Sequence, residues 1–121
     1  MLEDQTLTFN LPFKTGRGLN DRLHWAVRTR HVKEQRTVTA AFLRRRSLPL
    51  PAIVTLTRYS RGTLDDDNLQ GALKAVRDGV ADAFRLSDND SQLTWVYAQR
   101  SCKGGQFGVE IAVAPRPEMG Q

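Results

Sequence analysis

The alternation of polar and apolar residues predicts four β-strands. Residues 6–11 alternate as a short strand does, and they end at Pro12, which cannot donate a hydrogen bond to a neighbouring strand. Residues 52–59 are rich in β-branched side chains and predict a second strand. This second strand carries Val54 and Leu56 on one face and Ile53, Thr55 and Thr57 on the other.

The other two predicted strands lie close together near the C-terminus. Residues 93–100 and 106–113 both have strand-like patterns. Lys103, Gly104 and Gly105 lie between them, and glycines in so short a connection favour a tight turn. The pattern therefore predicts an antiparallel hairpin.

Two longer segments have the three-and-four spacing of amphipathic helices. The first, residues 24–46, ends before Pro49 and Pro51. Its apolar side is expected to carry Trp25, Val32, Val38, Phe42 and Leu43. Its opposite side is basic and carries Arg30, Lys33, Thr37 and Arg44.

The second helix has the clearest periodicity in the chain. Asp67 or Asn68 is suited to cap it, because short polar side chains accept hydrogen bonds from the free N–H groups of a first helical turn. One apolar stripe of this helix contains Leu69, Ala72, Leu73, Val76, Val80, Ala83 and Phe84.

The order of these elements is β, loop, α, β, α, β, β. It predicts an α/β (α+β) fold in which two main helices pack on a mixed β-sheet. A length of 121 residues is enough for one hydrophobic core, so we expect a single domain over residues 1–114. Residues 115–121 contain two prolines and a glycine and predict a flexible C-terminal tail.

The chain is basic, with a formal net charge of +5 and a sequence pI of about 10.0. A basic surface attracts polyanions, of which nucleic acid is the commonest, although a surface kept basic for solubility alone is the alternative. Phosphate contacts are expected from the basic side of the first helix and the arginines that follow it, namely Arg30, Lys33, Arg44, Arg45 and Arg46.

The sequence favours a cytoplasmic protein. A single cysteine, Cys102, excludes an internal disulfide and is compatible with a reducing compartment. The first ten residues lack the basic and apolar pattern of a signal peptide, and no run of 18 apolar residues predicts a membrane span.

Two acidic clusters flank the second helix of this basic chain. The first acidic cluster is Asp65, Asp66 and Asp67, and the second acidic cluster is Asp88 and Asp90. Carboxylates this close repel one another unless cations or hydrogen bonds compensate, and a divalent metal is the obvious candidate. Magnesium prefers oxygen ligands, and two ions about 4 Å apart can activate water and neutralise a leaving oxygen in phosphodiester hydrolysis.

Asp65 and Asp67 are the favoured metal-binding pair, because alternate side chains of an extended segment point to the same side. Asp88 and Asp90 begin at the far end of a helix about 25 Å long. For Asp88 and Asp90 to reach the first acidic cluster, the chain must fold back along the helix, or a second subunit must supply these two residues. The alternatives are a helix cap for the first acidic cluster and a solvated loop for the second.

Lys74 lies about two turns beyond Asp67, at nearly the same angle around the helix. Helical side chains lean toward the N-terminus, so we expect its ammonium to point toward the first acidic cluster and to stabilise charge on a phosphate or protonate a leaving group. The alternative is an ion pair with Asp78, four residues on. His24 and His31 are further candidates for a general base or a metal ligand.

Several of these motifs, in this order, resemble the RusA-like family of Holliday junction resolvases, which is common in phages and prophages. The resemblance covers most of residues 20–113 and is strongest over residues 54–93. The motifs that carry it are Asp65-Asp66-Asp67-Asn68, Lys74 with Asp78, Asp88-Asn89-Asp90, and an N-terminal signature of Asn20, Arg22, His24 and Trp25.

The resemblance implies that Asp65 and Asp67 bind Mg²⁺, with Mn²⁺ as the alternative ion. It implies Asp90 as the third acid, with Asp88 as the alternative ligand, and Lys74 as the essential lysine. Arg22 joins the candidate DNA-binding residues. Members of the family are intertwined homodimers of a mixed α/β fold that cut four-way DNA junctions by paired nicks.

We therefore expect a magnesium-dependent endodeoxyribonuclease that resolves Holliday junctions and other branched DNA. One alternative is an inactive relative that binds junctions or DNA without cutting. The other is a nuclease that acts on flaps, replication forks or RNA.

Overall fold

The computed structural model describes residues 6–13 and 25–117, with the side chains of the first helix described from Arg30 onward. The order of its elements is the one that the sequence predicts. They are β1 (Leu7–Leu11), α1 (Trp25–Arg44), β2 (Ala52–Ser60), α2 (Asp66–Phe84), β3 (Leu93–Ser101) and β4 (Gly108–Pro115). The fold is mixed α+β, with one four-stranded mixed sheet and two helices.

The strands of the sheet lie in the order β1-β4-β2-β3. β2 pairs with β3 in parallel, whereas β4 is antiparallel to both β2 and β1. The predicted hairpin between β3 and β4 is therefore wrong, because β2 lies between them. Gly104 and Gly105, with φ of 70° and 76°, do turn the chain. The six-residue connection is long enough to cross two strand spacings, roughly 10 Å in all.

The core lies on one face of this sheet. Val54 of β2 pairs with Val113 of β4, and Leu56 pairs with Ile111, and all four side chains are fully buried. Cross-strand partners share a face, so these pairs mark the side that the helices cover. The division of β2 into two faces, predicted from sequence, is confirmed.

Helix α2 buries the stripe that its periodicity predicts. Its most deeply buried large side chains are Leu69, Leu73, Val76 and Val80. They join the sheet residues in a single core cluster. This apolar face of α2 packs on the sheet, and the opposite face, which carries Lys74, is exposed to solvent.

The predicted apolar side of α1 is wrong in part. Val32, Val38 and Phe42 are exposed, whereas Leu43 is buried as predicted, and the side chain of Trp25 lies outside the described ones. From Arg30 onward, the most deeply buried residues of α1 are Leu43, Thr39 and Ala40. The reason is a close crossing with α2 at Gly79. A Cβ added there would lie 2.6 Å from the backbone oxygen of Arg36 and 2.7 Å from the Cβ of Thr39. Small residues, rather than large apolar ones, line such a contact.

Strand β4 extends one residue past the predicted domain boundary at residue 114. β4 runs to Pro115, and the backbone N–H of Arg116 donates to the oxygen of Pro51. The guanidinium of Arg116 donates to the backbone oxygen of Ser91 and to the hydroxyl of Thr94. Over the described residues, neither helix has the length and apolar character that a membrane crossing requires.

Candidate functional site

The first acidic cluster lies at the N-terminus of α2. Asp65 is the N-cap, with extended φ and ψ of −70° and 170°. One of its carboxylate oxygens accepts hydrogen bonds from the backbone N–H of Asn68 at 2.9 Å and from the side-chain amide of Asn68 at 3.0 Å. The predicted cap at Asp67 or Asn68 is therefore wrong by two or three residues.

The same shift changes the geometry of the favoured metal-binding pair. Asp66 and Asp67 are the first two helical residues, rather than part of an extended segment. The strand alternation that would bring Asp65 and Asp67 to one side does not apply here. All three carboxylates are exposed, at the end of α2 where the helix dipole and free N–H groups favour negative charge.

The second acidic cluster has different surroundings. Oδ2 of Asp88 accepts hydrogen bonds from Nζ of Lys74 at 3.0 Å and from Nε of Arg77 at 2.9 Å. Only 19% of the Asp88 side chain is exposed. The chain after α2 thus folds back far enough for Asp88 to reach the middle of that helix, as one of the two predicted routes requires.

Asp90 has a different role from Asp88. Its Oδ1 accepts a hydrogen bond from the backbone N–H of Gln92 at 2.9 Å, and its own N–H donates to the oxygen of Ser87. It therefore closes the turn that leads into β3. Since Leu93 pairs with Ala52, at the start of β2, this turn lies at the opposite end of the sheet from the exit of β2 toward Asp65.

The ammonium of Lys74 points away from the first acidic cluster, contrary to the prediction. It donates to Oδ1 of Asp78 at 2.9 Å as well as to Asp88, so the alternative ion pair with Asp78 is present. These hydrogen bonds, to Asp78 first and to Asp88 second, raise the pKa of Lys74. The hydrogen bond from Lys74 and the charge of Arg77 lower the pKa of Asp88, although desolvation opposes them.

A shallow groove joins Lys74 to the first acidic cluster. It runs along the exposed face of α2, where that face meets β3, and has a volume of about 320 Å³. Its lining residues are Asp67, Gln70, Gly71, Lys74, Arg77 and Tyr97. We call it the α2 groove. One carboxylate and two cations thus border the same channel, a combination that suits a phosphate with a bound cation.

The fit of these residues to Mg²⁺ is incomplete within one chain. The exposed carboxylates of Asp65 and Asp67 are the hard oxygen donors that Mg²⁺ prefers, and the cap occupies only one oxygen of Asp65. Within residues 6–13 and 25–117, no group of three His, Cys, Asp or Glu side chains is arranged to hold a metal ion. Asp90 does not join Asp65 and Asp67 there.

The predicted phosphate-binding residues of α1 are on the surface. Arg30, Lys33, Arg44, Arg45 and Arg46 are all exposed. Arg30 and Lys33 border a second groove of about 390 Å³ with Glu34, Thr37 and Val38.

Arg46 also contacts aromatic rings. Its guanidinium lies over the rings of Phe9 and Phe42, 5.8 Å from each centroid. His31 is exposed. Arg22 and His24 lie outside the described residues.

Sequence reasoning missed three residues that shape this region: Arg77, Trp95 and Tyr97. Arg77 stacks 4.8 Å from the centroid of Trp95 and donates to the hydroxyl of Tyr97 at 2.8 Å. Two features of the sequence could have indicated these residues. Arg77 lies one turn after Lys74 on the polar side of α2, and Trp95 and Tyr97 alternate on one face of β3.

Comparison with known proteins found similarity between this chain and one protein of unknown function. An uncharacterized protein of Xylella fastidiosa (strain Temecula1 / ATCC 700964) is 34% identical to this chain over 93 residues. The match covers 69% of the chain and 60% of that protein, so the chain spans less than two thirds of the length of its relative. No family model matches the chain.

Proposed function

We propose that this protein is a magnesium-dependent, structure-specific endodeoxyribonuclease of the RusA-like type that resolves four-way and other branched DNA by paired nicks. The observation that carries the proposal is the α2 groove. It brings Asp67, from the first acidic cluster, and Lys74 to one channel, and Lys74 contacts Asp88 of the second. Three of the motifs that suggested the family, represented by Asp67, Lys74 and Asp88, thus have members that adjoin one another on the surface.

Asp65 and Asp67 are the proposed Mg²⁺ ligands, with Mn²⁺ as a substitute ion. The metal, when bound, supplies a Lewis acid and activates water for attack on the phosphodiester. Asp67 has the more direct access to the groove, because Asp65 also caps α2. Lys74 would bind the scissile phosphate by giving up its hydrogen bond to Asp78 or to Asp88. The phosphate and the two carboxylates are all anionic partners for the one ammonium.

The third acid is proposed to come from a second copy of the chain. Asp90 lies beyond the opposite end of α2, which at 19 residues is roughly 28 Å long. An intertwined homodimer would bring Asp90 of one copy to the first acidic cluster of the other. Asp88 is the less suitable ligand, because Lys74 and Arg77 already share its Oδ2.

The basic residues of α1 and those just after it are proposed to hold DNA phosphates, which gives affinity without sequence recognition. A dimer with two active sites matches the local two-fold symmetry of a four-way junction.

The test is junction cleavage by the purified protein with and without Mg²⁺. The wild type should nick a synthetic four-way junction in pairs, and Asp67→Asn should bind the junction but leave it uncut. Asp66→Asn is the matched control, because it removes the same charge from the neighbouring residue and should still cut. Equal cleavage by Asp67→Asn and the wild type would contradict the assignment.

A second candidate is a protein that binds branched DNA without cutting it. The observation in its favour is that Asp65 caps α2 and that Asp88 forms ion pairs with Lys74 and Arg77, so both acidic clusters have structural roles. Metal titration separates the two candidates. A nuclease should bind Mg²⁺ at the first acidic cluster, whereas a pure binder should have only salt-dependent DNA affinity.

A further inference from the structure

Arg77 makes several directed hydrogen bonds, which a residue that only adds charge to the surface would not need. Its Nε donates to Oδ2 of Asp88 at 2.9 Å, and one Nη donates to the hydroxyl of Tyr97 at 2.8 Å. The other Nη donates to the backbone oxygen of Asp88 at 3.2 Å and to the side chain of Asn89 at 3.5 Å. All three guanidinium nitrogens are therefore in use. Together with the stacking on Trp95, Arg77 makes five contacts, and all of them are to residues 88–89 or to β3.

These contacts lie in a partly buried position. Only 19% of the Arg77 side chain is exposed, as is 19% of that of Asp88. The indole N–H of Trp95 donates to the backbone oxygen of Asp88 at 2.8 Å, so that oxygen receives two donors. Charged hydrogen bonds that are shielded from water are stronger and better oriented than exposed ones.

The same carboxylate oxygen links Arg77 to Lys74. Oδ2 of Asp88 accepts from Nε of Arg77 and from Nζ of Lys74, which is 57% exposed and faces the α2 groove. Arg77 has a planar, rigid fork, whereas Lys74 has a flexible stem. Arg77 is thus the more rigid of the two cations, and the position of the Lys74 ammonium depends on Asp88 together with Asp78.

We propose that Arg77 is a positioning residue for the nuclease reaction: it fixes Asp88 against α2 and, through Asp88, holds Lys74 at the α2 groove. Trp95 and Tyr97 complete this clamp from β3. The inference rests on the proposed function, and it adds a residue and a route of action that the acidic motifs do not contain.

Arg77→Lys is the central variant, because it keeps the charge but cannot supply the three-way fork. Its kcat for junction nicking should fall by roughly ten- to hundredfold, by analogy with the loss that follows when partners that orient metal ligands are changed, while KM for the junction stays unchanged. The matched control is Arg100→Lys on β3. Arg100 also lies over an aromatic ring, that of Tyr59, and near an acid, Glu110, but it is at the opposite end of β3 from Asp88 and should leave kcat unchanged.

A double-mutant cycle tests whether Arg77 acts through Asp88. If it does, Arg77→Lys combined with Asp88→Asn should lose no more activity than the more damaging of the two single changes. Losses that multiply would overturn the proposed route.

An NMR readout tests the clamp without any cleavage. In Arg77→Lys, the indole N–H signal of Trp95 should shift, and the backbone amides of Asn89 and Asp90 should exchange faster than in the wild type or in Arg100→Lys. Unchanged signals and exchange would overturn the clamp. If the wild type itself cuts no junction, the proposed function fails, and the NMR result still decides the clamp.

Discussion

The two acidic clusters contain the same side chain at the two ends of one helix, yet the fold uses them differently. The first acidic cluster is exposed, and one carboxylate oxygen of Asp65 accepts the cap hydrogen bonds from the backbone and side chain of Asn68. Asp88, in the second, is partly buried and accepts hydrogen bonds from Lys74, Arg77 and Trp95. A carboxylate that already neutralises two cations is costly to redirect to a metal, whereas an exposed one is available.

The difference implies a division of labour. The first acidic cluster can take up a ligand because the stability of the fold depends little on its charges. Asp88 stabilises the fold and orients its neighbours, and so it is less free to bind. Three predictions test this contrast, in order of expected effect.

The largest effect on stability is expected at the second acidic cluster. Arg77→Ala should lower the free energy of unfolding by about 2 kcal/mol, because it removes charged hydrogen bonds and leaves Asp88 partly desolvated with one cation fewer. Asp66→Ala, at the exposed first acidic cluster, should change it by less than about 0.5 kcal/mol. Urea denaturation measures both. Equal losses would remove the contrast between the clusters.

The next effect concerns the double role of Asp65. Asp65→Ala should cost about 1 kcal/mol, since it removes the acceptor for the backbone N–H of Asn68. Asp65→Ser should recover most of this stability, because serine also caps helices, but should not recover the affinity for Mg²⁺. Thermal unfolding and calorimetric Mg²⁺ titration separate the two roles. Full metal affinity in Asp65→Ser would exclude this carboxylate as a ligand.

The smallest effect is the acid dependence of stability. Lys74 and Arg77 lower the pKa of Asp88 from its ordinary value of 3.8, so its ionised form stabilises the fold above that pH. This contribution should be lost as the pH falls below about 4 and then through the pKa of Asp88 in the folded protein, which is lower than its ordinary value. Asp88→Asn should therefore lose less stability than the wild type on acidification, as followed by circular dichroism in urea. Parallel pH profiles would contradict this.

Periodicity correctly predicted the elements whose buried face follows from their own pattern of apolar residues. β2 and α2 each have one apolar face, and both faces are buried as expected. The order of the elements followed from the same local signals. The pairing of β3 did not, because glycines after it suggest a hairpin, while its parallel partner β2 is distant in the chain. Parallel pairing leaves no turn motif in the sequence.

Part of the face of α1 was missed for a related reason. Leu43 is buried as predicted, but Val32, Val38 and Phe42 are exposed, because the contact with α2 near Gly79 selects small residues. Steric fit between two helices depends on both sequences at once, and a pattern in one of them does not contain it.

At the candidate site, the sequence located the acidic clusters and Lys74 but not their connections. It offered both directions for the Lys74 ammonium, and the favoured one was wrong, because Asp88 and Asp78 together outweigh the first acidic cluster. The contact of Arg77 with Asp88 joins α2 to the turn before β3. Such a contact depends on how the chain folds back, which neither motif specifies.

The close crossing at Gly79 has a genetic consequence. Every missense change that a single base substitution can produce in a glycine codon introduces a Cβ. Here that atom would meet the backbone of Arg36 and the side chain of Thr39 on the neighbouring helix. In an unbiased mutational scan, codon 79 should thus tolerate synonymous changes far better than any replacement, although it lies in neither acidic cluster and donates nothing to a ligand.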